Sequence, residues 1–376
     1  MGGAEAKKIK LPPNLAKIEA KDVSHFYGKG VKNYLKFARQ VGASDLHLAS
    51  GAKPFMRLNG HIIYMNHPVL EPEVNKKQLL EILDERDREK FLETLDLDFS
   101  FELEGLGRFR ANMCQQRRGV DGTFRLIPQK IPTLKELGIP ESVRKFTTFH
   151  QGLVLVTGPA GSGKSSTLAA LIEIVNQERH DHIITVEDPI EFVFESKGCN
   201  VTQRQVERHT SGWGTAIRAA LREDPDIIMI GEMRDLDTIS TAITAAETGH
   251  LVFGTLHTTN AIRTVDRILD VFPPKEQAQI RAMVSESLRG IISQQLLPRA
   301  DGTGMVPAIE LLFTTSAVSN LIREARTFQL YSVMQTGRKY GMKLMDESIM
   351  ELLRKKVIDK ETAIYYANDP KRFERL

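Results

Sequence analysis

A glycine-rich segment that follows a short apolar run is the strongest chemical signal in the sequence. Residues 158–165 read GPAGSGKS, residues 153–156 before them are apolar, and residues 166–178 after them have helical spacing. This is the P-loop pattern, in which backbone N–H groups close around phosphates and the following helix start favours anions. A glycine-rich turn without a ligand is the alternative, which the flanking strand and helix disfavour. A nucleoside triphosphate is the expected ligand.

The polar side chains of this segment have separate expected tasks. Lys164 reaches the β- and γ-phosphates, and the Ser165 hydroxyl ligates Mg²⁺. ATP and Mg²⁺ are therefore the predicted cofactors. The predicted nucleotide-binding residues are Gly158, Pro159, Ala160, Gly161, Ser162, Gly163, Lys164, Ser165 and Ser166.

Carboxylates follow two other apolar runs. Glu187 and Glu191 come after residues 183–186, and Glu232 comes after residues 227–230. Hydrolysis of a triphosphate needs one group that orients water and another that holds the metal, so strand ends are where such carboxylates are expected. A carboxylate at a strand end can instead cap a helix or join a salt bridge. For Glu191 and Glu232 the catalytic interpretation is favoured.

The elements around these residues alternate between strands and helices. Strand-like runs occupy residues 153–156, 182–186, 227–230 and 251–255, with helical stretches between them. Alternation of this kind predicts a parallel sheet in an α/β domain. From residue 278 onward helices are expected to dominate, with one short apolar run at residues 308–313.

The N-terminal part has a different pattern. Short alternating runs separated by glycines predict an antiparallel sheet, and residues 76–95 have the helical spacing of amphipathic helices. A chain of 376 residues is longer than one hydrophobic core usually organises, so two domains are expected. The predicted organisation is a flexible basic tail over residues 1–30, an N-terminal α+β domain over 31–140, a linker over 141–150 and the α/β domain over 151–376.

Composition limits the classes of function. The formal net charge of +3 gives no support to a surface devoted to nucleic acid. The apolar runs are far shorter than the roughly 20 residues that cross a bilayer, and no secretory signal is expected. With only Cys114 and Cys199, neither a disulfide framework nor a tetracysteine zinc site can form, which fits a reducing cytoplasm.

Four ordered motifs carry a resemblance to a known family. EDPIE at residues 187–191, REDPD at 222–226, GEMRD at 231–235 and GHLVFGTLH at 249–257 resemble the Asp box, Walker B region and His box of the secretion ATPase superfamily. The match is best with the PilT branch, the type IV pilus retraction ATPases, and extends from about residue 42 to 346. The P-loop differs from the usual family pattern at Ala160 and Ser166, and the C-terminal signature has Ser319 in place of an arginine.

The resemblance implies roles for several of these residues. Glu191 matches the glutamate that activates water, Glu232 matches the Walker B glutamate at Mg²⁺, directly or through water, and Glu187 belongs to the same box as Glu191. His250 and His257 match a histidine pair that senses the γ-phosphate and passes its loss to a neighbouring subunit.

The resemblance also implies catalytic arginines outside the α/β domain. Arg110 and Arg125 match the arginine-bearing strands of the family, and Arg118 lies between them in sequence. Such cations stabilise the charge of phosphoryl transfer and come from an adjacent domain or subunit.

The fold that the resemblance implies is α/β, with a RecA-like P-loop ATPase domain preceded by a smaller PAS-like α+β domain. The implied function is that of a homohexameric ATP-hydrolysing motor for pilus retraction and twitching motility. Its implied place is the cytoplasmic side of the inner membrane at the pilus base, with an inner-membrane platform protein as partner and related pilus ATPases as further partners.

Two other functions remain open from the sequence. Extension and type II secretion ATPases share the motifs but commonly carry a tetracysteine insertion, which two cysteines cannot supply. A RecA-type nucleic-acid motor would use basic and aromatic loops, for which Trp213, Arg204 and Arg208 are the candidates. No direct nucleic-acid binding is expected.

Overall fold

The computed structural model describes residues 13–374. The chain divides into two compact units, with the division between Gln129 and Lys130. No helix among the described residues combines the length and apolar character that a bilayer span requires.

The first unit is built on an antiparallel six-stranded sheet with the order β3-β2-β1-β6-β5-β4. Its strands are β1 (Asp45–Leu48), β2 (Phe55–Leu58), β3 (His61–Tyr64), β4 (Asp96–Leu103), β5 (Gly107–Gln116) and β6 (Gly119–Leu126). Its helices are α1 (Pro13–Glu19), α2 (Val31–Gln40), α3 (Pro72–Leu80) and α4 (Glu85–Thr94), with a 3₁₀ turn at Ser24–Phe26.

Alternation along these strands separates an apolar face from a charged face. Leu46 is opposite Phe124 in the pairing of β1 with β6, and both side chains are fully buried. One residue away in the same strands, Asp45 is opposite Arg125, which is in turn opposite Arg110 of β5. The register therefore puts Arg110 and Arg125 side by side on the face opposite the core.

The segment expected to be a flexible tail differs from that prediction where it is described. Residues 1–12 lie outside the described residues. Beyond them, α1 is helical, and Leu15 and Val23 are each only 1% exposed in the core of the first unit, with Ile18 and Phe26 packed against it. The apolar side chains of residues 15–26 explain this difference, because their burial stabilises an ordered segment.

The second unit is built on a seven-stranded sheet with the order β13-β12-β7-β11-β10-β8-β9. Its strands are β7 (Gly152–Thr157), β8 (His182–Glu187), β9 (Asn200–Gln205), β10 (Ile227–Ile230), β11 (Leu251–Leu256), β12 (Leu288–Pro298) and β13 (Met305–Phe313). Neighbouring strands are parallel except β12 and β13, which are antiparallel.

Helices and 3₁₀ turns occupy the connections and the C-terminal region of this unit. The helices are α5 (Lys164–Glu178), α6 (Trp213–Ala220), α7 (Leu236–Glu247), α8 (Ala261–Asp270), α9 (Gln277–Ser287), α10 (Ser316–Arg323), α11 (Leu330–Thr336), α12 (Met345–Arg354), α13 (Lys360–Tyr366) and α14 (Lys371–Glu374). The 3₁₀ segments are Glu141–Thr148, Thr327–Gln329 and Gly337–Tyr340.

The parallel strands determine where polar chemistry can occur. β7, β10 and β11 are buried along their whole length, as expected for strands covered on both faces. Their carboxyl ends lie at one edge of the sheet, which is where open α/β sheets bind ligands. The segments that follow β7, β8, β10 and β11 therefore meet at this edge, which we call the carboxyl edge.

The predicted linker at residues 141–150 is largely structured. Residues Glu141–Thr148 form a 3₁₀ segment in which Val143 and Phe146 are fully buried. The Phe146 ring stacks on Phe313 of β13 with centroids 4.5 Å apart. These aromatic and apolar contacts make residues 141–148 part of the second core, and the division between units lies earlier than the predicted boundary.

Two strands of the second unit were not predicted. β12 is an 11-residue strand in a region expected to be mainly helical, and it is buried on both sides between β7 and β13, so its sequence does not alternate. β9 lies at the sheet edge and has the polar sequence NVTQRQ, which lacks an apolar run.

Candidate active site

The loop between β7 and α5 is shaped for a close approach to an anion. Gly161 and Gly163 have φ values of +76° and +88°, in the left-handed region that favours glycine. Helix α5 begins at Lys164 with no side-chain cap among the described residues. The N–H groups of its first turn therefore have no side-chain acceptor, which leaves them for a ligand.

Lys164 folds back over this loop. Its Nζ donates to the carbonyl oxygens of Gly158 at 2.8 Å and Pro159 at 3.0 Å, and the side chain is buried. Burial lowers the pKa of the Lys164 ammonium, whereas the negative charges of Glu232 and Glu191 raise it. Both carboxylates are thus close enough to act on the ammonium that is expected to neutralise phosphate.

The remaining groups of the loop fit a phosphate and a hard metal ion. Ser162 is 2% exposed, and its Oγ has no hydrogen-bond partner within the described part of the chain. Ser165 is exposed at the first turn of α5, so its hydroxyl is accessible to a ligand. Residues 13–374 contain no cluster of three or more His, Cys, Asp or Glu side chains for a metal. Mg²⁺ commonly needs only one or two protein oxygens beside phosphate and water, which Ser165 and Glu232 can supply.

Gln294 of β12 positions the loop and was not among the residues predicted from the sequence. Its Nε2 donates to the Ser162 carbonyl at 2.6 Å, and its Oε1 accepts from Thr167 Oγ1 at 2.8 Å. The side chain is only 2% exposed. A Cβ added at Gly158 would lie 2.2 Å from the Gln294 carbonyl oxygen, so this backbone approach requires glycine. The one sequence signal is a pair of glutamines inside an otherwise apolar run.

Glu187 lies at the end of β8 as predicted, but its carboxylate is buried in a hydrogen-bond network. It accepts from Thr185 Oγ1 at 2.6 Å, from Gln203 Nε2 at 3.0 Å and from the backbone N–H of Glu191. Burial raises the pKa of Glu187 to about 7, and the hydrogen bonds from Thr185 and Gln203 offset part of that effect. The contacts suit a group that holds the start of the following loop.

The loop after β8 is held from a second side by β9. Besides contacting Glu187, Gln203 donates from Nε2 to the Phe192 carbonyl at 2.9 Å and accepts at Oε1 from the Phe194 N–H at 2.8 Å. Glu191 lies in this loop, and its charge raises the pKa of both Glu187 and Lys164. The network therefore positions Glu191 beside the P-loop, and Gln203 is a second residue that the sequence analysis missed.

Glu232 lies just after β10 and is contacted by an arginine and a histidine. Arg234 donates to both carboxylate oxygens, with Nε 2.6 Å from Oε1 and Nη2 2.6 Å from Oε2. His257, which follows β11, places Nε2 2.9 Å from Oε1. Burial alone would raise the pKa of Glu232, but the bonds and charges of Arg234 and His257 together lower it. Glu232 and His257 are thus brought together at the carboxyl edge.

His250 does not join this cluster in its own chain. It precedes β11, so it lies at the opposite edge of the sheet, and its Nδ1 donates to the Ala245 carbonyl at 3.0 Å. The six residues of β11 separate His250 from His257 by about 20 Å at the usual rise per residue. Within one chain, His250 and His257 therefore lie at opposite ends of β11, and their joint role in sensing the γ-phosphate stays a prediction.

The predicted arginines all lie in the first unit. Arg110 and Arg125 are cross-strand neighbours, and Arg125 Nε is 3.0 Å from Asp45 Oδ1. Arg118 lies in the turn between β5 and β6, where its Nη1 donates to the Gly51 carbonyl at 3.1 Å. Eight residues of strand and turn place Arg118 about 25 Å from Arg110 along the hairpin. The structure therefore groups Arg110 with Arg125 but not with Arg118.

Comparison with known proteins gives the family. The model of the family described as Type II/IV secretion system protein matches residues 27–365. The chain belongs to this family. It is 49% identical to the "Type IV pilus retractation ATPase PilT" of Pseudomonas aeruginosa, covering 91% of this chain and 99% of that protein. It is 47% identical to the "Twitching motility protein" of Neisseria gonorrhoeae, covering 82% of this chain and 83% of that protein.

A solved structure gives the same result for this member of the secretion ATPase family. The crystal structure of the pilus retraction motor PilT with bound ADP matches with a TM-score of 0.83 and 47% identity, covering 92% of this chain and 99% of that one. The predictions of the family, of the two-domain α/β fold class and of an ATPase are confirmed. Use of a nucleotide by the family agrees with the ADP in that structure.

The buried Glu187 carboxyl predicts a pH-dependent stability of the second unit. Its folded pKa of about 7 lies above the ordinary value of 4.5. The protonated carboxyl therefore stabilises the folded state, and this stabilisation is complete below pH 4.5. This stabilisation is lost as pH rises through 7, by at most about 3 kcal/mol. Relative to Glu187→Gln, the wild-type free energy of unfolding should therefore fall between pH 5 and 8. Urea titrations followed by fluorescence of Trp213, the single tryptophan, measure this difference. Parallel pH profiles would contradict the assignment.

Proposed function

We propose that this chain hydrolyses ATP with Mg²⁺ to drive retraction of type IV pili. The observation that carries the proposal is the convergence of Lys164, Glu191 and Glu232 at the carboxyl edge of the second sheet. The names of the relatives favour retraction over extension or secretion.

The residues of the P-loop bind and orient the triphosphate. The N–H groups at the start of α5 donate to its phosphate oxygens, and Lys164 exchanges the Gly158 and Pro159 carbonyls for phosphate oxygens. Ser165 and Glu232, the latter directly or through water, would hold Mg²⁺, and a bound ion would supply positive charge to the phosphate oxygens. Ser162 Oγ, buried without a partner in the described chain, donates to the same anion.

The carboxylates then prepare water for attack. Glu191 orients a water molecule and accepts its proton, because it lies beside Lys164 on a loop that Glu187 and Gln203 hold. Glu187 acts through Glu191, as a positioning residue. His257 contacts Glu232, so a movement of the Glu232 carboxylate is transmitted to the segment after β11.

We further propose that six copies form a ring in which Arg110 and Arg125 complete the site of another domain or subunit. Their shared place on one face of the first unit supports a joint role, and a positive charge there would stabilise the transferring phosphoryl group. The ring would act at the inner-membrane base of the pilus on a platform protein. Arg118, at the far end of the hairpin, has its own contact and is a weaker candidate.

The nucleic-acid motor is disfavoured by the contacts of its candidate residues. Arg204 Nη1 is 2.9 Å from Glu223 Oε1, and Trp213 is half-buried. A Cβ placed on Gly231 would lie 3.4 Å from the Trp213 ring, so this ring packs against the segment that carries Glu232. The tryptophan therefore has a packing role inside the second unit.

Glu191→Gln tests the catalytic assignment. The amide keeps the size of the side chain but cannot accept a proton, so kcat should fall at least about 100-fold while nucleotide affinity stays within a few-fold. Glu195→Gln is the matched control, since Glu195 is an exposed carboxylate four residues away, and it should retain activity. Steady-state ATPase assays and binding of a fluorescent ATP analogue measure the two quantities. A wild-type rate in Glu191→Gln would remove its catalytic role.

The same variant tests the biological assignment in cells. Cells that carry Glu191→Gln as their sole copy should display surface pili but fail to retract them, because extension would continue without withdrawal. Cells that lose surface pili instead would support an extension ATPase. Stimulation of the purified enzyme by single-stranded DNA would support the nucleic-acid motor.

Mixing of two inactive proteins tests the ring. Arg125→Ala should slow turnover by about 10³-fold or more, as arginine fingers do, whereas Arg117→Ala, at an exposed arginine in the turn between β5 and β6, should not. Lys164→Ala should also be inactive. If the arginine acts between subunits, the mixture contains sites with an intact P-loop and an intact arginine, so ATPase activity should partly return. A mixture as inactive as its components would place the arginine in its own subunit.

A further inference from the structure

Arg234 contacts Glu232 more extensively than His257 does. It donates to both oxygens of the carboxylate, while His257 contacts only Oε1. Bidentate arginine–carboxylate pairs are stronger and more directional than single contacts. The carboxylate assigned to Mg²⁺ is therefore held by a cation of the chain itself.

We propose that Arg234 is a positioning residue that competes with Mg²⁺ for Glu232 and must release it when Mg²⁺ and ATP bind together. The inference rests on the proposed function, since it assumes that Glu232 serves the metal. It gives the segment after β10 two arrangements, one with Glu232 paired to Arg234 and one with Glu232 turned to the nucleotide.

The backbone on both sides of Arg234 is fixed, so the change is confined to side chains. Before it, Thr255 Oγ1 donates to the Gly231 carbonyl at 2.5 Å, and the Met233 N–H donates to the Thr255 carbonyl at 3.0 Å. After it, Asp235 caps α7 by accepting from the Thr238 N–H at 2.8 Å. The pair spans only two residues, and the Arg234 side chain is 62% exposed against 19% for Glu232. Arg234 is thus the more exposed member of the pair, and its side chain can turn away from Glu232 without a backbone movement.

The charges of Arg234 and Mg²⁺ explain why the two compete for Glu232. Arg234 neutralises the carboxylate that would attract a divalent cation, so the pair must be weakened before Glu232 can act at the metal. Lys164 and Glu232 each follow a strand that ends at the carboxyl edge, and the charge of Glu232 acts to raise the pKa of Lys164, so the pair lies beside the P-loop. Once phosphate oxygens neutralise Lys164, a bound divalent cation replaces Arg234 as the partner of Glu232.

The test is the Mg²⁺ requirement of nucleotide binding. A non-hydrolysable fluorescent ATP analogue is held at fixed concentration, and Mg²⁺ is titrated into wild type, Arg234→Ala and Arg234→Lys. Without its competitor, Arg234→Ala should bind at about 3- to 10-fold lower Mg²⁺, a range that corresponds to a partly exposed ion pair. Arg234→Lys keeps the charge without the two-point contact, so its midpoint should lie between the others. Arg218→Ala, which removes an arginine paired with Asp237 on the surface, should match wild type.

A double variant separates this role from a general loss of structure. In a Glu232→Gln background the metal no longer competes with Arg234 for a charge, so adding Arg234→Ala should leave the Mg²⁺ midpoint unchanged. An unchanged or higher midpoint in Arg234→Ala alone would overturn the proposal, as would an equal shift in both backgrounds. Failure of wild type to bind the analogue at any Mg²⁺ concentration would instead overturn the proposed function.

Discussion

The central strands of the second unit are buried along almost all of their length, so polar groups can meet solvent only where those strands end. β7, β8, β10 and β11 run parallel, and their carboxyl ends lie at one edge. The P-loop, the Glu191 loop, Glu232 and His257 each follow one of these ends. The site therefore depends on strand direction more than on any single contact, because reversal of one strand would send its group to the other edge. His250, at the start of β11, illustrates that outcome.

Two carboxylates at this edge have opposite environments. Glu187 is fully buried, and the cost of desolvating its charge raises its pKa to about 7. Glu232 is paired with Arg234 and His257, and the net effect lowers its pKa despite partial burial. Environments that separate the pKa values of neighbouring acids commonly assign them different tasks. Here Glu187 holds a loop by hydrogen bonds, and Glu232 keeps a negative charge that can bind a metal ion.

Much of the fold and of the site was predictable from the sequence because it depends on residues that are close together in the chain. The P-loop glycines and Lys164 form a contiguous motif, and the apolar runs before Glu187 and Glu232 marked two strand ends. Gln294 and Gln203 were not predictable, since their importance comes from hydrogen bonds to residues that are remote in sequence. β12 and β9, which carry them, were missed because one is buried on both faces and the other is polar. The separation of His250 from His257 was not predictable for a related reason: sequence spacing alone did not show that a whole strand lies between them.

The most direct test of the account is a structure of the protein with Mg²⁺ and a non-hydrolysable ATP analogue. Lys164 Nζ should leave the carbonyls of Gly158 and Pro159 for phosphate oxygens, with the phosphates on the N–H groups at the start of α5. Glu191 and Glu232 should both face the terminal phosphate, while Gln294 keeps its contact with the Ser162 carbonyl. A nucleotide bound away from the carboxyl edge, or a Lys164 still held by its own loop beside the bound phosphates, would contradict the account.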